Sequence, residues 1–203
     1  MGGDDNFVGM LDSVFVVPPI FDDSYYGQTI HEIREMQISG MGNYAHGNQP
    51  IQHMIYLYNY TNQPWKTQKH VREVLTKLYK PQADGYCGDE DNGQTSAWYV
   101  FSAMGFYPVC PGSGEYVFGT PLFNKITLQM VNGNQFVINA ENNSKVNFYV
   151  DKIQLNGETW DKNFIKHSTI LEGGEINFSM TDKPNKKRGT SKDSYPYSMT
   201  NEE

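Results

Sequence analysis

Apolar residues recur at near-helical intervals from Asp23 to Phe106, and beyond that point the spacing switches to every second residue. The segment DDSYYGQTIHEIREMQ opens on Asp and Ser as caps and sets Tyr26, Ile30, Ile33 and Ile38 along one face. NQPIQHMIYLYNYTN carries Pro50 where a first turn has no use for its missing N–H. QPWKTQKHVREVLTKLYKP repeats that device with Pro64, aligns Val71, Val74, Leu75 and Leu78, and is stopped by Pro81. GQTSAWYVFSAMGF is apolar almost all round, which predicts the most buried of four helices joined by short loops.

After YPVCPGSGEY come YVFGTP, KITLQMV, QFVINAE, NFYVDKIQLNG and GEINFSMTD, β-branched or aromatic runs divided by Gly, Asn and Pro turns. The pattern predicts an α+β chain: a helical part over residues 1–112, then a small antiparallel β-sheet or sandwich over 113–185. The remaining stretch, 186–203, is polar and Lys-rich, and either wraps the surface or is disordered.

Composition narrows the function. With 203 residues and 38% hydrophobic, the chain can bury a core. A net charge of −7 with no basic stripe argues against nucleic acid, and the Tyr-rich aromatic set suits a neutral polar ligand. Two cysteines, Cys87 and Cys110, are too few for a disulfide scaffold and lack metal-ligand spacing. No apolar run is long enough to span a bilayer. The start MGGDDNF has neither the basic nor the apolar region of a signal peptide, and it reads as a junction with an upstream region missing.

Candidate chemistry lies in GDEDNGQTSAW, where Asp89, Glu90 and Asp91 stand between Gly88 and Gly93 ahead of a helix. Capping and the helix dipole explain one carboxylate. Three in a row repel one another, which raises a pKa or calls in a cation.

YAHGNQP, YLYNYTNQPWKTQ and GDEDNGQTSAWYVFSAMGFYPVCPGS, in this order, resemble the C-terminal part of the family 92 glycoside hydrolases, calcium-dependent inverting exo-α-mannosidases. The resemblance runs from about Phe7 to Asn185. It implies that residues 1–112 hold the last helices of an (α/α)6 barrel, and that the general acid, an upstream glutamate, has no counterpart here. It further implies that Asp89 and Asp91 form the general-base pair, projecting to one side of an extended loop with Glu90 facing away. Asn48, Gln49 and Asp91 are implied as calcium ligands. His31 and Glu32 are implied to select α-1,2-linked mannose at the leaving-group subsite, and His46 to touch substrate. His53, His70 and His167 read as structural or surface residues, and Trp98 and Tyr99 as core. A mannose-containing glycan is the implied partner, together with the upstream part of the same polypeptide, in a secreted or periplasmic setting. The competing class is a carbohydrate-binding or assembly module without chemistry of its own.

Overall fold

A computed structural model describes residues 2–201. The first helix, α1 (Asp4–Val16), precedes every helix that the apolar pattern predicts. Asp4 and Asp5 occupy its first turn, where negative charge suits the dipole. Val8 and Leu11 are buried in a cluster with Ile55 and Tyr58 of the 3₁₀ run Met54–Tyr60. Asp12 on α1 accepts from the Tyr58 hydroxyl at 2.9 Å and pairs with Lys66.

The helix expected from Asp23 begins eight residues later, as α2 (His31–Ser39). Ser24–Tyr26 form only a 3₁₀ turn, which ends at Gly27 in the left-handed region. Of the predicted stripe Ile33 is buried, but Tyr26 and Ile38 are 56% and 81% exposed. The second predicted helix is 3₁₀ throughout, as Gln49–Ile51 and Met54–Tyr60. There Met54, Ile55, Tyr56, Tyr58 and Asn59 are all buried, so packing on several sides overrides a single-stripe pattern.

α3 (Trp65–Lys77) follows Pro64 and buries Val71, Val74 and Leu75, as the stripe predicts. α4 (Gln94–Met104) buries Thr95, Trp98, Ser102 and Ala103 yet leaves Val100 55% exposed, so α3 is the more deeply packed of the two. Gly105, at φ 101°, ends α4, and a side chain there would meet Pro121.

The five predicted strand segments are all present: β2 (Glu115–Phe118), β3 (Lys125–Gln129), β4 (Gln135–Glu141), β5 (Tyr149–Leu155) and β8 (Gly174–Thr181). The short strands β1 (Phe106–Tyr107), β6 (Glu158–Thr159) and β7 (Phe164–Lys166), and the helix α5 (His167–Glu172), were not legible in the pattern. They form two sheets, β1-β2-β7 and β3-β4-β8-β5-β6. The pairing is antiparallel with one departure among the described residues: β4 and β8 run parallel, because β8 inserts between β4 and β5 after α5 turns the chain. The α+β class stands.

Two apolar clusters result. One gathers the helices with Tyr107 and Val117, the other the sheet with Phe106 and Phe118, and Phe101 packs against both. The boundary expected after residue 112 thus falls between the paired strands β1 and β2. The polar tail is packed along the surface: Asn163 donates to the Gly189 carbonyl at 2.7 Å, and the Tyr195 hydroxyl to Asp4 at 3.0 Å.

Candidate active site

The acidic loop is not extended. Glu90 has helical torsions, and Asp91, Asn92 and Gly93 follow at φ 55°, 57° and 99°, three consecutive residues in the left-handed region. Asp and Asn tolerate that region better than other residues with side chains. The expectation that Asp89 and Asp91 project alike from an extended strand is therefore replaced by a tight turn. Its cause lies in α4: the Glu90 carboxylate accepts from the backbone N–H of Gly93 and Ser96, and its carbonyl from Thr95 N–H at 3.2 Å. Glu90 is spent as a helix cap, held below the usual carboxylate range by Ser96 and Gly93. The Thr95 hydroxyl donates to the Asp89 carbonyl at 2.9 Å and fixes the other end of the turn. Asp89 is exposed and Asp91 half-buried.

The HGNQP loop meets this turn across 42 residues of sequence: Gln49 N–H donates to Asp91 Oδ2 at 3.4 Å. Gln52 stitches the two together from below. Its side chain reaches the His46 carbonyl at 3.2 Å and the Thr95 hydroxyl at 3.4 Å, and its carbonyl accepts from Trp98 Nε1 at 3.0 Å. At the closest approach Gly47 and Gly88 face one another, and a Cβ on Gly88 would lie 2.6 Å from Gly47 Cα. Both glycines are required here, because neither backbone leaves room for a side chain.

Glu35, one turn into α2, presses its carboxylate against both glycines. Its Oε2 is buried without a hydrogen-bond partner. Burial raises its pKa, His31 opposes that, and the charges of Asp89, Glu32 and Asp91 add to the rise. These five ionisable groups, drawn from α2 and the acidic turn, therefore share one region.

His31 opens α2 with its ring Nε2 3.3 Å from Glu32 Oε1, its side chain 71% exposed. The pair does edge a helix end. His46 does not reach the surface: it is 1% exposed, with Nδ1 2.9 Å from the Tyr44 hydroxyl and Nε2 2.9 Å from that of Tyr79. Burial drives its pKa down to about 3, so the ring is neutral and both nitrogens are engaged. The expected substrate contact is corrected to a core support beneath the HGNQP loop. Trp98 is fully buried, His70 is buried and stacked on Phe15, and His53 and His167 are exposed.

Asn48 is half-buried and Gln49 exposed beside Asp91. Their amide, carbonyl and carboxylate oxygens, with the unsatisfied Glu35 oxygen nearby, are the donor chemistry of a hard cation, not of a thiolate or imidazole metal. Among the described residues no three His, Cys, Asp or Glu side chains form a metal-binding group, so any such site leans on amides and backbone. A concavity of about 630 Å³ borders the turn, lined by Lys80 to Tyr86 and Gly88; Asp89, Glu90 and Asp91 are not among its lining residues. Glu35, Gln52 and Thr95 are the residues that sequence reasoning missed. Their signal is three-dimensional, since each acts through a loop distant in sequence.

The glycosyl hydrolase family 92 catalytic domain model matches residues 1–182. The family GH92 inverting mannosidase BT2199 from Bacteroides thetaiotaomicron is 54% identical at a TM-score of 0.84, over 98% of this chain and 27% of that one. The GH92 α-mannosidase BT3965 from the same organism, in complex with mannoimidazole, is 37% identical at a TM-score of 0.85, over 97% of this chain and 25% of that one. An uncharacterized secreted glycosidase of Arthroderma benhamiae is 28% identical over 156 residues, 75% of this chain and 20% of that protein. The chain thus spans about a quarter or less of the length of these relatives. With a family match over nearly all its length and an acidic turn pinned to an amide-rich loop, the chain belongs to glycosyl hydrolase family 92.

Proposed function

We propose that this chain is the C-terminal part of an inverting exo-α-mannosidase and that it contributes the general base and a cation site to hydrolysis of terminal α-1,2-linked mannose. The observation that carries the reading is the junction of the two loops, where Asp91 accepts from Gln49 N–H and the Gly47–Gly88 contact holds Asp89 alongside. An inverting glycosidase needs a carboxylate that takes a proton from water on the face opposite the leaving group, with acid and base carboxyls roughly 6.5–9.5 Å apart. Asp89, exposed, is open to such a water, and Asp91, half-buried, orients it and lends its charge. The acid comes from a part of the polypeptide upstream of these residues.

Asn48, Gln49 and Asp91 would hold a calcium ion. When bound, it supplies a hard, positive anchor for vicinal hydroxyls of the sugar ring. His31, exposed, and Glu32, half-buried, paired at the start of α2, are placed in this reading at the leaving-group mannose, where one donor and one acceptor can grip its hydroxyls. A setting outside the cytoplasm accords with the relative described as secreted. No helix among the described residues is long and apolar enough to cross a membrane.

The test is proton NMR of α-1,2-mannobiose hydrolysis by the enzyme that carries this chain. Inversion releases β-mannose first, before mutarotation. First-formed α-mannose, or no release of mannose at all, overturns the reading.

A further inference from the structure

Arg72, on α3, is only 7% exposed and has no carboxylate partner among the described residues. Its Nη2 donates to the carbonyl of Pro121 and to Asn143 Oδ1 at 2.7 Å, with Thr120 Oγ1 at 3.5 Å. Nη1 reaches only the Ser144 carbonyl, at 3.4 Å, and Nε is buried without a partner. Every acceptor is neutral, so the guanidinium charge is buried and uncompensated, a costly arrangement. Burial alone lowers its pKa to about 10, and no acid opposes the shift; for Arg188, also buried, Asp161 does.

Arg72 borders a cleft of about 620 Å³ between α3 and the loops at 122–124 and 143–145. That volume falls in the range of small-ligand sites. Leu75 and Leu122 contribute apolar wall, Asn124 and Asn143 contribute amides, and Lys145, exposed, stands at the mouth. No Asp or Glu lines it, although the chain carries a net charge of −7. None of its lining residues belongs to the acidic turn or the HGNQP loop.

We propose that this cleft binds a small oxyanion, the carboxylate of an acidic sugar or inorganic phosphate, paired with Arg72 and Lys145. Such a ligand supplies the counter-charge that the described residues withhold from Arg72, and charge-assisted hydrogen bonds from Nη1 and from the ammonium hold it. The proposal does not depend on the mannosidase reading, because it uses neither the acidic residues nor a reaction.

Isothermal titration of the purified protein with inorganic phosphate, and separately with glucuronate, tests it, with mannose and ionic-strength-matched chloride as controls. Saturable binding of either anion, but not of mannose or chloride, is expected. Binding of one anion alone identifies the source of the oxyanion. Lys145→Gln, at an exposed position, should weaken binding about tenfold or more while leaving the thermal midpoint unchanged. Arg72→Gln should abolish binding, and its midpoint is measured first because the residue is buried. Absence of saturable binding, or equal affinity in wild type and Lys145→Gln, overturns the proposal.

Discussion

Gly88 cannot carry a side chain: a Cβ there would sit 2.6 Å from Gly47 Cα and 2.9 Å from the Glu35 carboxyl. Gly88→Ala must spread the two loops, at a cost of roughly 1–3 kcal/mol. Activity should fall further than stability does, and comparing urea midpoints with kcat/KM checks it. The two aspartates separate by role in the proposed mechanism. Asp89→Asn and Asp91→Asn should each lower kcat by about 10²–10⁴, and only Asp91→Asn should also weaken calcium binding measured by titration. Calcium restoring Asp89→Asn but not Asp91→Asn would reverse the assignment. His46 offers a pH signature of its own. It is neutral when folded, with its pKa depressed to about 3, whereas an unfolded histidine titrates near 6.5. Between those values the unfolded chain binds the extra proton, so stability falls as pH drops, with a slope up to about 1.4 kcal/mol per pH unit from this residue. Chemical denaturation across that window should show the slope, and His46→Gln should flatten it.

At the scale of elements, α2 is a short helix with two tasks. Its inner residues Ile33 and Met36 bury it, Glu35 reaches the acidic loop at Gly88, and His31 and Glu32 pair at its start. In the proposed mechanism that pair grips the leaving sugar. His31→Ala/Glu32→Ala should then slow α-1,2-mannobiose by about 10- to 1000-fold while sparing an activated aryl mannoside, which needs little help from leaving-group contacts. Equal losses on both substrates would reduce the pair to surface residues. α4 supports the turn from the other side through Thr95 and Trp98. The period of three to four residues was enough to place α4, and to signal α2 though not where it starts. What misled was the breadth of the apolar face, because Val100 and Ile38 are exposed at 55% and 81% while Thr95, Ser102 and Gln52 are fully buried. Buried polar residues that carry loop contacts look hydrophilic in a sequence and structural in a fold.

Across the whole molecule, exposed apolar residues gather near the first two helices: Val16, Ile20, Tyr25 and Ile38 are 76%, 83%, 90% and 81% exposed. Under the proposed function this chain by itself should not turn over α-mannosides, and light scattering should show self-association that dilution reverses. Turnover comparable to an intact family member sinks the first expectation, and a clean monomer at all concentrations the second. The α+β order, the helices α3 and α4 and the five longer strands were determined by local sequence, since hydrophobic period, proline and glycine act over a few neighbours. The crowding of Asp89, Glu90 and Asp91 is likewise a local fact, although the pattern read the loop as extended where the structure has a left-handed turn. The tertiary structure alone decided that β4 and β8 lie parallel, that Asp91 faces Gln49, that Glu35 fills the gap between Gly47 and Gly88, and that His46 is sealed in the core. Each of these joins residues a dozen or more positions apart, and no local preference encodes which distant loop a side chain will meet once the core has closed.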